Sequence, residues 1–205
     1  MYYVQPNQAG VDEGVSVFRA GGVIVYPTDT VYGLGADATN SKAVELVRTI
    51  KGRDAAKSIL ALVADRAMLE QYAEVTPLAA RLAGAFWPGP LSLVLTVRND
   101  TLASIASTDG SAGFRMPNHA WCTALVAAYG RPITSTSVNR SGRAQPKTLP
   151  DMLDQLGIQA DRISLVVDAG TLPVTAPSTI VDARGDTPLI LREGTISRDN
   201  IVRCM

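Results

Sequence analysis

Residues 26–36 read YPTDTVYGLGA: an apolar run ends in two threonine hydroxyls and a carboxylate, then in two glycines one residue apart. A buried strand cannot leave such groups unpaired, so Pro27–Thr30 is expected at the strand's open end. There the hydroxyls either meet a ligand or close a turn on their own backbone. Gly33 and Gly35 suit tight turns or a close backbone approach. Lys51-Gly52-Arg53, with Lys57 four residues beyond Arg53, follows a largely apolar helix. In extended chain Lys51 and Arg53 share one side and can grip one anion, whereas at a helix terminus they complement the carbonyl end of the dipole. Ser135–Gly142, STSVNRSG, is the densest run of small hydrogen-bonding groups. It is either a loop for phosphate or ribose oxygens, with Arg140, Arg143 and Lys147 adding charge, or a plain polar loop. Arg115 and Arg192 each place a guanidinium at an expected element end, suited to a carboxylate, a phosphate or a structural ion pair.

These are groups for holding anions in place rather than for supplying a covalent nucleophile. The one histidine, His119, stands just after Pro117 and reads as a helix-start residue, so a hydrolase triad or a histidine-ligated metal is disfavoured. Cys122 and Cys204 are far apart and form no CxxC pair, which supports neither a disulfide framework nor a cysteine zinc site. A GxxxxGK[ST] phosphate loop is absent, and Gly33-Leu34-Gly35 lacks the third glycine of a dinucleotide fingerprint.

The elements that must position these groups are legible from periodicity. Val11, Val15 and Phe18 ahead of Gly21-Gly22 predict a short helix, and 23–26 a buried strand. Asn40 or Ser41 caps a helix with Val44, Val47 and Ile50 inward, and 58–63 resumes extended chain. Leu78, Leu82 and Phe86 predict a helix ending at Trp87-Pro88-Gly89-Pro90. Leu91, Leu93, Leu95 and Val97 then alternate with Ser92, Val94 and Thr96 as a strand. Trp121, Ala124, Leu125 and Ala128 restore helical spacing, followed by a strand at 132–136, a helix near 150–156 and strands near 163–168, 179–182 and 188–191. With 205 residues, 46% of them hydrophobic, and no internal repeat or linker, the expectation is a single α/β domain, a twisted mixed sheet flanked by helices. Lysine plus arginine and aspartate plus glutamate are 19 each, so any charge recognition is local. The opening MYYVQPNQAG has no secretory character and no apolar run is long enough to span a bilayer, so a cytoplasmic protein without membrane contact is expected.

Taken together, YPTDTVYGLGA, KGR followed by Lys57, FWPGPLSLVL, FRMP, STSVNRSG, PSTIVD and ILREG resemble, in order, the YrdC-type threonylcarbamoyl-AMP synthase family over about residues 10–195. The resemblance implies a YrdC-like fold and synthesis of threonylcarbamoyl-adenylate and pyrophosphate from L-threonine, bicarbonate and ATP, with Mg2+ accompanying the ATP. It further implies a separate threonylcarbamoyl transferase system that modifies tRNA. Carried over by position, Thr30, Arg115 and Ser178 hold threonine. Lys51 and Arg53 are the catalytic cations and, with Lys57, face the triphosphate, while Ser135, Ser137 and Asn139 bind nucleotide. Ser111, Gln145 and Arg192 align with further ATP contacts, and Asp29 orients its neighbours.

Four positions depart from the family pattern: Asp54 and Ser58 where proline is common, Leu62 where some members have histidine, and Val138 for a usual alanine. The chain ends soon after Arg192, as expected of the short form without an added C-terminal domain. Two other functions compete. One is a non-catalytic module for tRNA or double-stranded RNA, drawing on the eight cations in and just after these segments, though few aromatics are present for base stacking. The other is a divergent paralogue acting on another carbamoyl compound. The carbamoyl-transfer enzymes of hydrogenase maturation contain such a domain, but their zinc-binding and acylphosphatase portions are not in this sequence.

Overall fold

The computed structural model describes residues 1–54, 57–173 and 176–205. Its strands are β1 (Tyr2–Val4), β2 (Ile24–Tyr26), β3 (Gly33–Gly35), β4 (Leu60–Leu62), β5 (Leu91–Thr96), β6 (Ser111–Arg115), β7 (Ile133–Ser137), β8 (Leu165–Val167), β9 (Thr179–Asp182) and β10 (Leu189–Arg192). They form one sheet in the order β1-β8-β2-β3-β7-β4-β6-β5-β9-β10. β1/β8, β2/β8, β4/β6 and β5/β9 run parallel and the other neighbours antiparallel, so the expected mixed sheet is present.

The helices are α1 (Gln8–Arg19), α2 (Ser41–Lys51), α3 (Arg66–Tyr72), α4 (Pro77–Phe86), α5 (Ala120–Tyr129), α6 (Leu149–Leu156) and α7 (Arg198–Arg203). Their starts are local chemistry: Asn7, Asn40 and Thr76 each accept a backbone N–H of the first turn, and Pro77 sits where no N–H is needed. α1 packs on α5, close enough that a Cβ on Gly14 would lie 2.8 Å from Leu125 Cδ1. The buried face of α5 is Trp121, Cys122, Leu125 and Val126, while Ala124 and Ala128 are exposed, which corrects the helical phase expected there. His119 caps that helix, its Nδ1 accepting from Cys122 N at 3.3 Å.

Five elements lack a clear sequence signal: β1, β3, β6, α3 and α7. β3 is the instructive one. Gly33 and Gly35 are strand residues, not a turn, because Tyr26 of the paired strand lies across them. A Cβ on Gly35 would sit 2.4 Å from Tyr26 Cε1 and 2.9 Å from Thr134 O. Close approach is therefore the reason for these glycines.

Candidate active site

Register places the chemistry on one face of the sheet's middle. Leu60 pairs with Ser135, Gly33 with Ser137, Gly113 with Val94, and Ser92 and Arg192 each with Ile180. All of them line one cavity of about 400 Å³, whereas the alternate residues Leu91, Leu93, Leu95 and Phe114 are buried in the core. Thr28, Thr30 and Val31 from the turn after β2, Arg53 and Ser58 from the loop after α2, and Asn139, Arg143 and Gln145 from the loop after β7 close its walls. Among the described residues, four bearing a guanidinium, Arg53, Arg115, Arg143 and Arg192, line it, and no aspartate or glutamate does.

At one end Arg115 is 4% exposed and its guanidinium is held on three sides. Nε donates to Gly89 O at 3.0 Å, Nη1 to Thr30 Oγ1 at 3.1 Å, and Nη2 to Asp29 Oδ1 at 2.5 Å. Asp29 in turn accepts from Asn118 N at 3.2 Å, which fixes the carboxylate that fixes the arginine. Three of the five guanidinium N–H groups are thereby used, leaving one on each Nη. The turn reading of PTDT holds for Thr28, while Thr30 lines the cavity. Thr28 Oγ1 donates to Val31 O at 2.6 Å and closes the turn, while Thr30 presents its hydroxyl to Arg115. Opposite them Ser178 and Ser92 share a hydrogen bond of 2.9 Å, and Arg192 Nη2 donates to Ser178 O at 2.7 Å. Burial, and then the charge of Arg115, lowers the Arg192 pKa; an added anion would offset the repulsion between the two guanidinium groups.

At the other end Gly52, in the left-handed conformation at φ 60, ends α2 and turns Arg53 into the cavity wall. Arg53 Nη2 donates to Ser58 O at 2.7 Å, but its buried Nε has no partner among the described residues, and neither has the buried Gln145 Oε1. Burial, and then the charge of Arg48, lowers the Arg53 pKa. Lys51 does not share Arg53's direction. It is 2% exposed, lies behind the cavity wall, and its Nζ donates to Ser137 O, to Asn139 O at 3.0 Å and to Asn139 Oδ1 at 2.9 Å. Burial, and then the charge of Arg53, lowers its pKa to about 7; three oxygen acceptors need three N–H groups, which favours the ammonium. Asn139 spends its amide on the same brace, accepting from Lys51 and Ser137 and donating to the carbonyls of Arg140 and Arg143.

Besides Lys51, two more expected positions lie off the cavity. Lys57 is exposed and outside the lining. Ser111 shares the face of Gly113 and Arg115, but it sits four strand residues from Arg115, roughly 13 Å at the usual rise, and donates to Asp109 Oδ1 at 2.7 Å. Of the four departures, Leu62 and Val138 are core residues, Ser58 lines the cavity, and Asp54 is exposed. Sequence reasoning missed Ser92, whose signal was the polar phase of the β5 alternation. It also missed Arg48, described below, for which no motif exists.

A family model described as telomere recombination, that of the Sua5, YciO and YrdC proteins, matches residues 16–194. The chain belongs to the Sua5/YciO/YrdC family. Within that family it is 34% identical over 189 residues to a Vibrio vulnificus protein named threonylcarbamoyl-AMP synthase, covering 91% of this chain and 99% of the relative. The crystal structure of P. abyssi Sua5 complexed with L-threonine superposes with a TM-score of 0.86 at 28% identity, covering 99% of this chain and 59% of that one. E. coli YciO gives a TM-score of 0.86 at 27% identity over 98% of both chains. The chain thus spans somewhat under two thirds of the Sua5 chain and nearly all of YciO.

Proposed function

We propose that this protein is an L-threonylcarbamoyladenylate synthase. One observation carries the reading: among the described residues the cavity is walled by four arginines and no carboxylate, with Arg53 Nε and Gln145 Oε1 buried and unpartnered. Such a wall binds a polyanion and an amino-acid carboxylate together. The Arg115, Thr30 and Ser178 end suits threonine, its carboxylate taking the two spare N–H groups of Arg115. The end formed by Arg53, Ser135, Ser137 and Gln145 suits the nucleotide, with Lys51 and Asn139 bracing the loop behind it. Arg192 is held on Ser178.

The reaction needs no nucleophile from the protein. Threonine's amine adds to bicarbonate with loss of water, giving a carbamate. A carbamate oxygen attacks the α-phosphorus of ATP, and the bond to the bridging oxygen breaks to release pyrophosphate. Arg53 and Arg192 neutralise charge that builds on the phosphates, and the packed hydroxyl wall aligns the carbamate with the α-phosphorus. We assign magnesium to the MgATP substrate; the described residues contain no cluster of three His, Cys, Asp or Glu side chains able to hold a metal. The anhydride product is labile, and we assign its use to a separate transferase acting on tRNA. Among the described residues the cavity lining contains no aromatic side chain, which favours a small-molecule site over a base-stacking RNA surface.

The test is pyrophosphate release from MgATP with and without L-threonine and bicarbonate, with mass spectrometry of the product. Release requiring both substrates, with threonylcarbamoyl-adenylate formed, supports the reading. Folded protein that binds ATP and makes no such product overturns it in favour of the divergent paralogue.

A further inference from the structure

Arg48 belongs to no recognised motif and does not line the cavity, yet it makes as many hydrogen bonds as Arg115 or Lys51. It stands in the last turn of α2, is 5% exposed, and has no carboxylate partner among the described residues. Its Nη1 donates to Asp54 O at 3.0 Å and to Lys57 O at 2.8 Å, and its Nη2 to Ser104 O at 2.9 Å. One planar group therefore ties both sides of the loop after α2 to the segment that follows the 3-10 turn at Asp100–Leu102. Ile59 N donating to Ile105 O at 2.9 Å extends the same seam. Ser58, next along, gives its carbonyl to Arg53 Nη2, and Arg53 N donates to Arg48 O at 3.0 Å.

We propose that Arg48 is a positioning residue: by collecting three carbonyls with one fork it sets the loop geometry that holds the Arg53 guanidinium in the cavity wall. A buried cation without a counter-ion is costly unless its donors are satisfied, and here the acceptors are backbone oxygens that no apolar side chain could serve. Lysine supplies charge but not a planar fork able to reach two segments at once. The charge of Arg48 also reaches Arg53, as the lowered pKa of Arg53 records, so Arg48 adds positive potential behind the phosphate end without touching ligand.

This inference rests on the nucleotide reading of the cavity, and its test separates the two. ATP, inorganic tripolyphosphate and L-threonine are titrated calorimetrically into wild type, Arg48→Met, Arg48→Lys, Arg53→Met and the double variant Arg48→Met/Arg53→Met, with thermal unfolding of each. The expected result is at least a tenfold loss of ATP and tripolyphosphate affinity in Arg48→Met, with threonine affinity within twofold. In the Arg53→Met background the same change should add less than threefold, because Arg48 acts through Arg53. Arg48→Lys, which keeps the charge, should recover less than half of the affinity lost in Arg48→Met on a logarithmic scale; if Arg48→Met does not fold, Arg48→Lys should itself bind ATP and tripolyphosphate at least threefold more weakly than wild type, with threonine affinity within twofold. Equal losses for ATP and threonine, full recovery by lysine, or independent tenfold losses in the double variant overturn the proposal. Wild type that binds neither ATP nor tripolyphosphate overturns the cavity reading itself.

Discussion

Replacing Arg115 by methionine separates recognition from scaffolding, because the structure gives the residue both tasks. Methionine keeps most of the volume, so the loss is that of the donors. For the ligand, removing a charge-assisted contact costs about 1.5–3 kcal/mol, which weakens threonine binding roughly tenfold to 150-fold. For the fold, Asp29 is left without its partner at 2.5 Å and Gly89 O without its donor. Breaking a buried pair costs about 3–5 kcal/mol. The Asp29 side chain keeps 12% exposure, so water recovers part of this, and the lower end of the range is expected. At about 2–4 °C per kcal/mol for a chain of this size, Tm should fall by about 6–12 °C. Adding Asp29→Asn removes the orphaned charge. Calorimetric threonine titration and thermal unfolding of wild type, single and double variants should then show Tm returning by at least half while threonine affinity stays low. Affinity that returns together with Tm, or that never falls, would refute the direct role of Arg115 in holding the carboxylate.

Other predictions concern the nucleotide end and its supports. Arg53→Met should raise the KM for ATP about tenfold to a hundredfold and leave threonine affinity within twofold; matched losses would sink the division of roles. Lys51, lowered to about 7 by burial and then by the charge of Arg53, supplies its three N–H groups only when protonated. ATP affinity should therefore weaken as pH rises through about 7, and Lys51→Met should flatten that profile; a flat wild-type profile would refute the brace. The stability linkage has the opposite sign, since a folded pKa below the unfolded 10.5 makes this group's contribution rise with pH across about 7 to 10.5. Gly35→Ala, whose Cβ would meet Thr134 O at 2.9 Å, should lower stability by about 1–3 kcal/mol in a denaturant titration. Ser111→Ala should leave ATP affinity within twofold, as its hydroxyl serves Asp109 away from the cavity.

The parts of this protein legible in its residues are those decided over a few neighbours. Asn40 capping α2, Gly52 ending it, the Leu91, Leu93 and Leu95 phase of β5 and the glycine stop after α1 each follow from caps, φ freedom or period. β3 was illegible because a three-residue Gly-Leu-Gly strand has no β propensity of its own and exists only through pairing with β2 and β7. β6, with the sequence Ser-Ala-Gly-Phe-Arg, is likewise made a strand by β4 and β5.

The same division runs through the site. The ordered motifs identified the family and named Thr30, Arg53, Arg115, Ser178 and Arg192 as cavity residues from local sequence, because motifs record residue types that a ligand demands. Which cation faces inward was beyond them: Lys51 and Arg53 are two residues apart, yet one is buried against Asn139 and the other lines the wall. Ser92 enters only because parallel pairing of β5 with β9 brings its hydroxyl to Ser178, 86 residues away. Arg48 matters only because Ser104 passes beside the loop it clamps. Sequence determines donors, acceptors and local turns; tertiary structure decides direction and partner, since a guanidinium's role depends on which carbonyls long-range packing leaves within its reach.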